Sequence, residues 1–108
     1  MPKKITKKGE LRALDEAWKK NVKERDCYFC QVCNCLVEKR NCQAHHILPR
    51  HIKKFRWDVD NGITLCYPHH KAGPFSAHQN AIWFTFWLKT NKPAQFIHAL
   101  NKLKELGK

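Results

Sequence analysis

The sequence feature that most constrains the fold is a pair of short ligand motifs far apart in the chain. A Cys-X-X-Cys motif (Cys30, Cys33) and a Cys-X-X-His motif (Cys66, His69) are separated by 32 residues. Thiolates and imidazole suit tetrahedral zinc, which would hold the two motifs together at one point of the fold. Cys27 and Cys30 form a competing Cys-X-X-Cys pair, and the spacing alone does not choose between the two pairs.

The chain is short and strongly basic. Its 108 residues contain 21 Lys and Arg against 9 Asp and Glu, a formal net charge of +12. A bound metal would add stability to a chain of this size, whose hydrophobic core is small. The positive charge favours a polyanionic partner, most simply nucleic acid. No apolar run approaches the roughly 20 residues of a membrane span, and the basic start lacks the apolar core of a signal peptide. We therefore expect a cytoplasmic protein without a membrane partner.

Six cysteines in an intracellular chain favour metal binding over disulfides. Cys27, Cys35 and Cys42 remain outside the preferred ligand set. We interpret these three as small buried side chains, the commonest setting for a free cysteine.

The first quarter of the chain predicts a basic tail followed by an amphipathic helix. Residues 1–8 are basic, and residues 9–24 carry apolar side chains at spacings of three, four and four, which is typical of one helical face. That face consists of Leu11, Leu14, Trp18 and Val22. We interpret the lysines on the other face mainly as a solvated surface.

The middle of the chain predicts two short strands and the start of a helix. Residues 42–46 and 63–65 are strand-like, and Asn61-Gly62 before the second strand is a turn signal. Pro68 suits a first helical turn because its missing N–H would be unsatisfied there anyway. The Gly73-Pro74 pair is expected to interrupt that helix soon after it begins.

Residues 76–106 predict C-terminal helices. Ser76 to Gln79 has the form of a capping box, which would open the first of these helices. The aromatic run from Trp83 to Trp87 follows a helical spacing, so we interpret it as core rather than as a platform for stacked bases. We expect this helix to pack on the N-terminal helix.

Several further motifs lie between residues 25 and 70 in a defined order. They are Arg25-Asp26, Cys30-Gln31-Val32-Cys33, His45-His46-Ile47, Asn61-Gly62-Ile63-Thr64-Leu65-Cys66 and His70. Together they resemble an HNH endonuclease, a ββα-metal nuclease, close to the small zinc-containing type found in phages and bacteria. The resemblance covers roughly residues 25–71 and favours Cys30 with Cys33 as the zinc pair, since Arg25-Asp26 and Cys30-Gln31 lie where the family pattern has them.

The resemblance implies an α+β fold. Its ββα-metal core, residues 25–72, would be stapled by a structural zinc and flanked by the N- and C-terminal helices, with residues 1–108 forming a single nuclease domain. The four zinc ligands would be Cys30, Cys33, Cys66 and His69. Because the family commonly has Cys at the position of His69, zinc binding through Cys66-X-X-X-His70 is an alternative that would leave His69 for catalysis.

The resemblance also implies the catalytic roles. His46 would be the general base, a role that suits an imidazole titrating near neutral pH. His45 and His70 would bind one catalytic divalent metal, Mg²⁺ or Mn²⁺, with Ni²⁺ or Zn²⁺ as alternatives. Asn61 would orient the loop and His46, although it could instead be a turn residue that tolerates positive φ.

The densest basic segment is the loop over residues 50–57. The candidate nucleic-acid contacts are Arg50, Lys53, Lys54, Arg56 and His78. For His78 a helix-start residue is the plainer interpretation, and a third metal ligand is an alternative because His commonly binds metals.

Together these features predict a metal-dependent endodeoxyribonuclease of the HNH type. It would hydrolyse phosphodiester bonds in double-stranded DNA, by nicking or cutting, and leave 5′-phosphate and 3′-hydroxyl ends. A second copy of the chain, or a phage or host protein, is a candidate further partner. The alternative function is a zinc-stabilised nucleic-acid-binding module without catalysis. A protein-interaction module using Trp83 to Trp87 would leave His45, His46 and His70 without a role.

Overall fold

The computed structural model describes residues 6–107, which form four α-helices and one two-stranded antiparallel sheet. In chain order they are α1 (Lys7–Arg25), β1 (Gln43–His46), β2 (Gly62–Leu65), α2 (Tyr67–His70), α3 (Ala81–Asn91) and α4 (Pro93–Leu106). The predicted α+β class is confirmed, with the two strands followed directly by the short helix α2. Within the described residues no helix has the length and apolar character needed to span a bilayer.

The N-terminal helix is longer than predicted. It begins at Lys7, where the Thr6 hydroxyl accepts the backbone N–H of Gly9 at 3.0 Å and caps the first turn. Part of the expected basic tail is therefore helical, and residues 1–5 of that tail lie outside the described part of the chain. Only the C-terminal half of the apolar face is covered, since Trp18 and Val22 are buried but Leu14 is 46% exposed.

Helix α1 approaches β2 closely at Gly62. A side chain at this position would overlap Cγ2 of Val22 and lie 2.6 Å from Cζ2 of Trp18. The missing Cβ thus allows the helix and the strand to meet. Arg25, in the last turn of α1, also donates to the carbonyl of Gly62 at 2.7 Å, and Asp26 accepts the backbone N–H of Thr64 at 2.8 Å.

The strand register places the two adjacent histidines of β1 on opposite faces of the sheet. His45 pairs with Ile63 and His46 with Gly62, and side chains alternate along a strand. The ring of His46 therefore lies against Trp18 of α1, whereas the ring of His45 faces His70 and the helices that follow the sheet. Strand β2 is buried along its whole length.

Two predictions about the C-terminal helices are wrong. The Ser76 hydroxyl accepts the N–H of Gln79, but it stabilises an irregular segment, and α3 begins at Ala81 because the Asn80 side chain caps the N–H of Trp83. Helix α3 packs mainly against α4 rather than against α1. An open cleft of about 1030 Å³ instead separates α1 from α3, with the histidines of β1 on its floor.

Candidate active site

Four predicted zinc ligands lie together and form what we call the cysteine cluster: Cys30, Cys33, Cys66 and His69. The Cys33 and Cys66 sulfurs are 3.9 Å apart, and Nδ1 of His69 lies 3.1 Å from the Cys66 sulfur. A tetrahedral zinc with Zn–S bonds of about 2.3 Å separates two sulfurs by about 3.8 Å. The spacing of the donor atoms therefore fits a zinc ion.

Local structure explains how the cysteine cluster is assembled. The turn that carries Cys30 and Cys33 is closed by a hydrogen bond from the N–H of Cys30 to the carbonyl of Cys35, 2.9 Å long. On the other side, Cys66 directly follows β2 and occupies the N-cap position of α2, so His69 lies about one helical turn further on, with its Nδ1 close to the Cys66 sulfur.

The three spare cysteines lie outside the cysteine cluster. Cys42 is buried, as predicted for a small core side chain, but Cys27 and Cys35 are exposed, so that prediction is wrong for these two. The competing pair of Cys27 with Cys30 is not the one that the structure brings to His69.

A second group, which we call the histidine cluster, contains His45, His70 and His78. Nε2 of His78 lies 3.0 Å from Nε2 of His70, and the ring of His45 stands edge-on to both other rings. Nδ1 of His70 donates to the Gln43 side-chain oxygen at 2.6 Å, which leaves the lone pair of its Nε2 for the centre of the cluster. His78 is not a helix-start residue, since α3 begins three positions later.

Burial keeps the histidine cluster uncharged. Together with a smaller effect of neighbouring imidazoles, it lowers the pKa of His45 to about 3 and that of His70 to about 4. The pKa of His78 is also lowered, mainly by burial. Imidazoles that stay neutral at pH 7 have lone pairs available to a metal ion.

His46 occupies a different environment on the other face of the sheet. Its ring stacks on Trp18 with centroids 3.8 Å apart, and Nε2 donates to the backbone carbonyl of Arg56 at 2.9 Å. A neutral imidazole that donates through Nε2 carries its lone pair on Nδ1. Burial lowers the pKa of His46, so the ring is neutral and can accept a proton at pH 7.

Asn61 fastens the loop that follows β1. Its side-chain oxygen accepts the N–H of Leu48 at 2.7 Å, and its amide donates to the carbonyls of Leu48 and Phe55 at 3.1 and 3.2 Å. The residue is 2% exposed and is not among the residues with positive φ, so the alternative of a positive-φ turn residue does not hold. Phe55 directly precedes Arg56, whose carbonyl binds His46.

The assignment of Arg56 to nucleic-acid contact is corrected by the structure. Its guanidinium is buried and makes two hydrogen bonds, of 2.9 and 2.6 Å, to the carboxylate of Asp15. The pair lowers the pKa of Asp15, chiefly through those hydrogen bonds. Lys53 and Lys54 are exposed but do not line the cleft, and Arg50 is the member of the basic loop that both lines it and is largely exposed.

Sequence reasoning missed three residues that contact His46, His70 or Arg56. Trp18 was seen only as part of an apolar helix face, and Asp15 and Gln43 were not singled out. A polar residue within an amphipathic helix gives no local signal of a partner 41 positions away, which is the separation of Asp15 from Arg56. Only the pairing of the strands and the docking of α1 create these contacts.

Comparison with known proteins identifies the family of the chain. Residues 30–82, about half of the chain, match the family model for HNH endonucleases. The chain belongs to this family, so the resemblance inferred from its motifs is confirmed. Membership indicates a nuclease-type protein that acts on nucleic acid with a divalent metal. No curated protein and no solved structure matches the chain significantly.

Proposed function

We propose that the protein is a metal-dependent DNA endonuclease in which residues 1–108 act as one HNH nuclease domain. The main support for the proposal is that four imidazoles line one cleft. Three converge in the histidine cluster, and His46 lines the same cleft from the other face of the sheet, with its Nε2 hydrogen-bonded to a carbonyl. A binding module would not need a separate, neutral proton acceptor in the same cleft as a metal-binding cluster.

The two clusters suit two metals with different tasks. In the cysteine cluster, three thiolates and one imidazole would complete a tetrahedral shell, so a zinc held there would have no open position and would serve structure. The histidine cluster offers three ligands and leaves positions for substrate oxygens, as catalytic metal sites do. His69 and His70 are neighbours in the chain, yet they belong to different clusters.

The donor atoms of the histidine cluster favour a transition metal. Metal–nitrogen bonds of about 2.0–2.1 Å place two ligand nitrogens about 3.3 Å apart in a tetrahedral shell, close to the 3.0 Å between His70 and His78. Among the described residues no carboxylate belongs to the cluster. Since imidazole suits zinc and nickel and Mg²⁺ prefers oxygen ligands, we propose Zn²⁺ or Ni²⁺ ahead of the Mg²⁺ or Mn²⁺ expected from the family. When bound, the ion would supply positive charge to the scissile phosphate and the leaving 3′ oxygen.

His46 would act as the general base. With its Nε2 proton held by the Arg56 carbonyl, Nδ1 is the atom that can take a proton from the attacking water. Asn61 positions the loop that carries this carbonyl, and Asp15 fixes Arg56 through its guanidinium. These contacts hold the base in one tautomer and one orientation, which is the requirement for efficient proton transfer.

Cleavage of supercoiled plasmid tests the proposed function. The purified protein is incubated with plasmid in Zn²⁺, Ni²⁺, Mn²⁺ or Mg²⁺, beside His46→Ala and the matched control His51→Ala, which removes an exposed loop histidine. We expect nicked or linear product from the wild type and the control, and a loss of at least about 100-fold in His46→Ala, the usual scale of general-base catalysis. Tight plasmid binding without cleavage in every metal would favour the binding module instead.

A further inference from the structure

We propose that the cleft-facing side of α1, through Lys8 and Arg12, binds the phosphodiester backbone of the DNA next to the bond that is cut. The inference rests on the proposed function and adds the surface that holds the substrate. Helix α1 lies outside the matched residues 30–82, so this contact would belong to the part of the chain that precedes the family match.

The geometry of α1 supports this surface. Lys8 and Arg12 are exposed and one helical turn apart, which separates them by about 6 Å along the helix axis. Both line the cleft that contains the histidine cluster and His46. A phosphate held by either side chain would therefore belong to a strand that enters this cleft.

The ion pairs of the cleft leave these two cations available. Asp15 is engaged by Arg56 at 2.6 Å, and Glu16 pairs with Lys19 at 3.3 Å. Within residues 6–107, neither Lys8 nor Arg12 takes part in an ion pair. Both acidic groups of α1 that line the cleft are thus neutralised locally, and the remaining charge of this wall is positive.

The two lysines of the basic loop, by contrast, lie outside the cleft lining. Lys54 pairs with Glu105 of α4 at 3.7 Å, and neither Lys53 nor Lys54 lines the cleft. Arg56 is committed to Asp15. Arg50 of this loop does line the cleft, but it lies 3.4 Å from the carboxylate of Asp15.

The salt dependence of binding tests the assignment. Affinity for a labelled DNA duplex is measured by fluorescence anisotropy over a series of salt concentrations, in the His46→Ala background to prevent cleavage. Three double variants remove the same charge: Lys8→Gln with Arg12→Gln, the loop pair Lys53→Gln with Lys54→Gln, and a distant control pair. The control pair is Lys20→Gln with Lys104→Gln, which lies outside the cleft lining.

Each phosphate contact contributes about 0.9 to the slope of log affinity against log salt. We expect the slope of the α1 pair to become shallower by about two, and those of the loop and control pairs to stay within about 0.5 of the parent. A larger change in the loop pair, or none in the α1 pair, would overturn the inference. If the wild type cleaves plasmid while the α1 slope is unchanged, only this inference fails; if the protein neither binds nor cleaves DNA, the proposed function fails with it.

Discussion

The imidazole of His46 lies flat against the indole of Trp18, with ring centroids 3.8 Å apart and planes inclined by only 5°. The indole is itself fixed, because its Nε1 donates to the carbonyl of Asp58 at 2.8 Å and its ring edge packs on Gly62. A helix outside the family match thus supports the candidate base from one side, while the Arg56 carbonyl holds it from the other.

Removal of the stack should slow cleavage. Trp18→Leu leaves the His46 ring free to move, and a small misplacement of a reacting group can cost up to about 100-fold in rate. Trp18→Phe keeps an aromatic face and should retain most of the activity. Single-turnover cleavage rates, measured well below the thermal midpoint of each variant, compare the two. Equal rates in the Leu and Phe variants would mean that the stack does not position the base.

Gly62→Ala should destabilise the fold. The added methyl group would overlap Val22 and lie 2.6 Å from the Trp18 ring, and overpacking of this kind costs roughly 1–3 kcal/mol. Gly107→Ala is the matched control, because its nearest neighbour would be 3.7 Å away. Chemical denaturation gives both free energies of unfolding. An unchanged value for Gly62→Ala would show that α1 can shift away from β2 without cost.

Asp15→Asn should lower the cleavage rate more than it lowers DNA affinity. The substitution removes the charge that holds the buried Arg56 guanidinium, so the carbonyl that binds His46 loses its support. Glu16→Gln removes the same charge from the next position, where the partner is only an exposed Lys19. We expect at least about a tenfold larger loss of rate in Asp15→Asn than in the control. Equal losses of cleavage rate in the two variants would mean that only the change in net charge matters, and not the support of Arg56 by Asp15.

The acid limb of the cleavage profile should lie below pH 6.5, the ordinary pKa of histidine. Burial lowers the folded pKa of His46 below 6.5, so the base stays unprotonated to a lower pH than an exposed histidine. Activity is therefore full above that folded pKa and is lost as the pH falls through it. Rates at saturating metal from pH 5 to 8 locate the midpoint, with His51→Ala as control. A midpoint above 6.5 would contradict a buried base.

Local patterns in the sequence were sufficient for the elements and motifs of the core. The ligand motifs, the Asn61-Gly62 turn before β2 and the break after α2 were all visible because they depend on neighbouring residues. The contacts between distant elements were not visible. The ion pair with Asp15 engages Arg56, which the sequence suggested as a DNA contact. The packing of α3 on α4 leaves the cleft open beside α1. These outcomes depend on tertiary packing, which periodicity does not encode.

The position of His78 shows the same limit. In the sequence it stands eight residues after His70, within what resembled a helix start. The irregular segment before α3 folds back, and the N–H of His78 donates to the carbonyl of His70 at 2.9 Å, which brings the two rings together. The position of His78 in the histidine cluster therefore depends on how residues 71–80 fold back, which the local sequence pattern does not show.

The proposed function requires that His69 and His70 belong to two different metal sites. Metal content measured beside nicking rate is the most direct test of this separation. Zinc and added-metal content per chain are determined for wild type, His69→Cys, His69→Ala and His70→Ala, with plasmid nicking on the same samples. We predict that His69→Cys keeps the structural zinc and much of the activity, because thiolate is an equally good ligand. His70→Ala should keep that zinc but lose the second metal and cleavage. Loss of the structural zinc in His70→Ala, with activity surviving in His69→Ala, would show that the roles of the two histidines are exchanged.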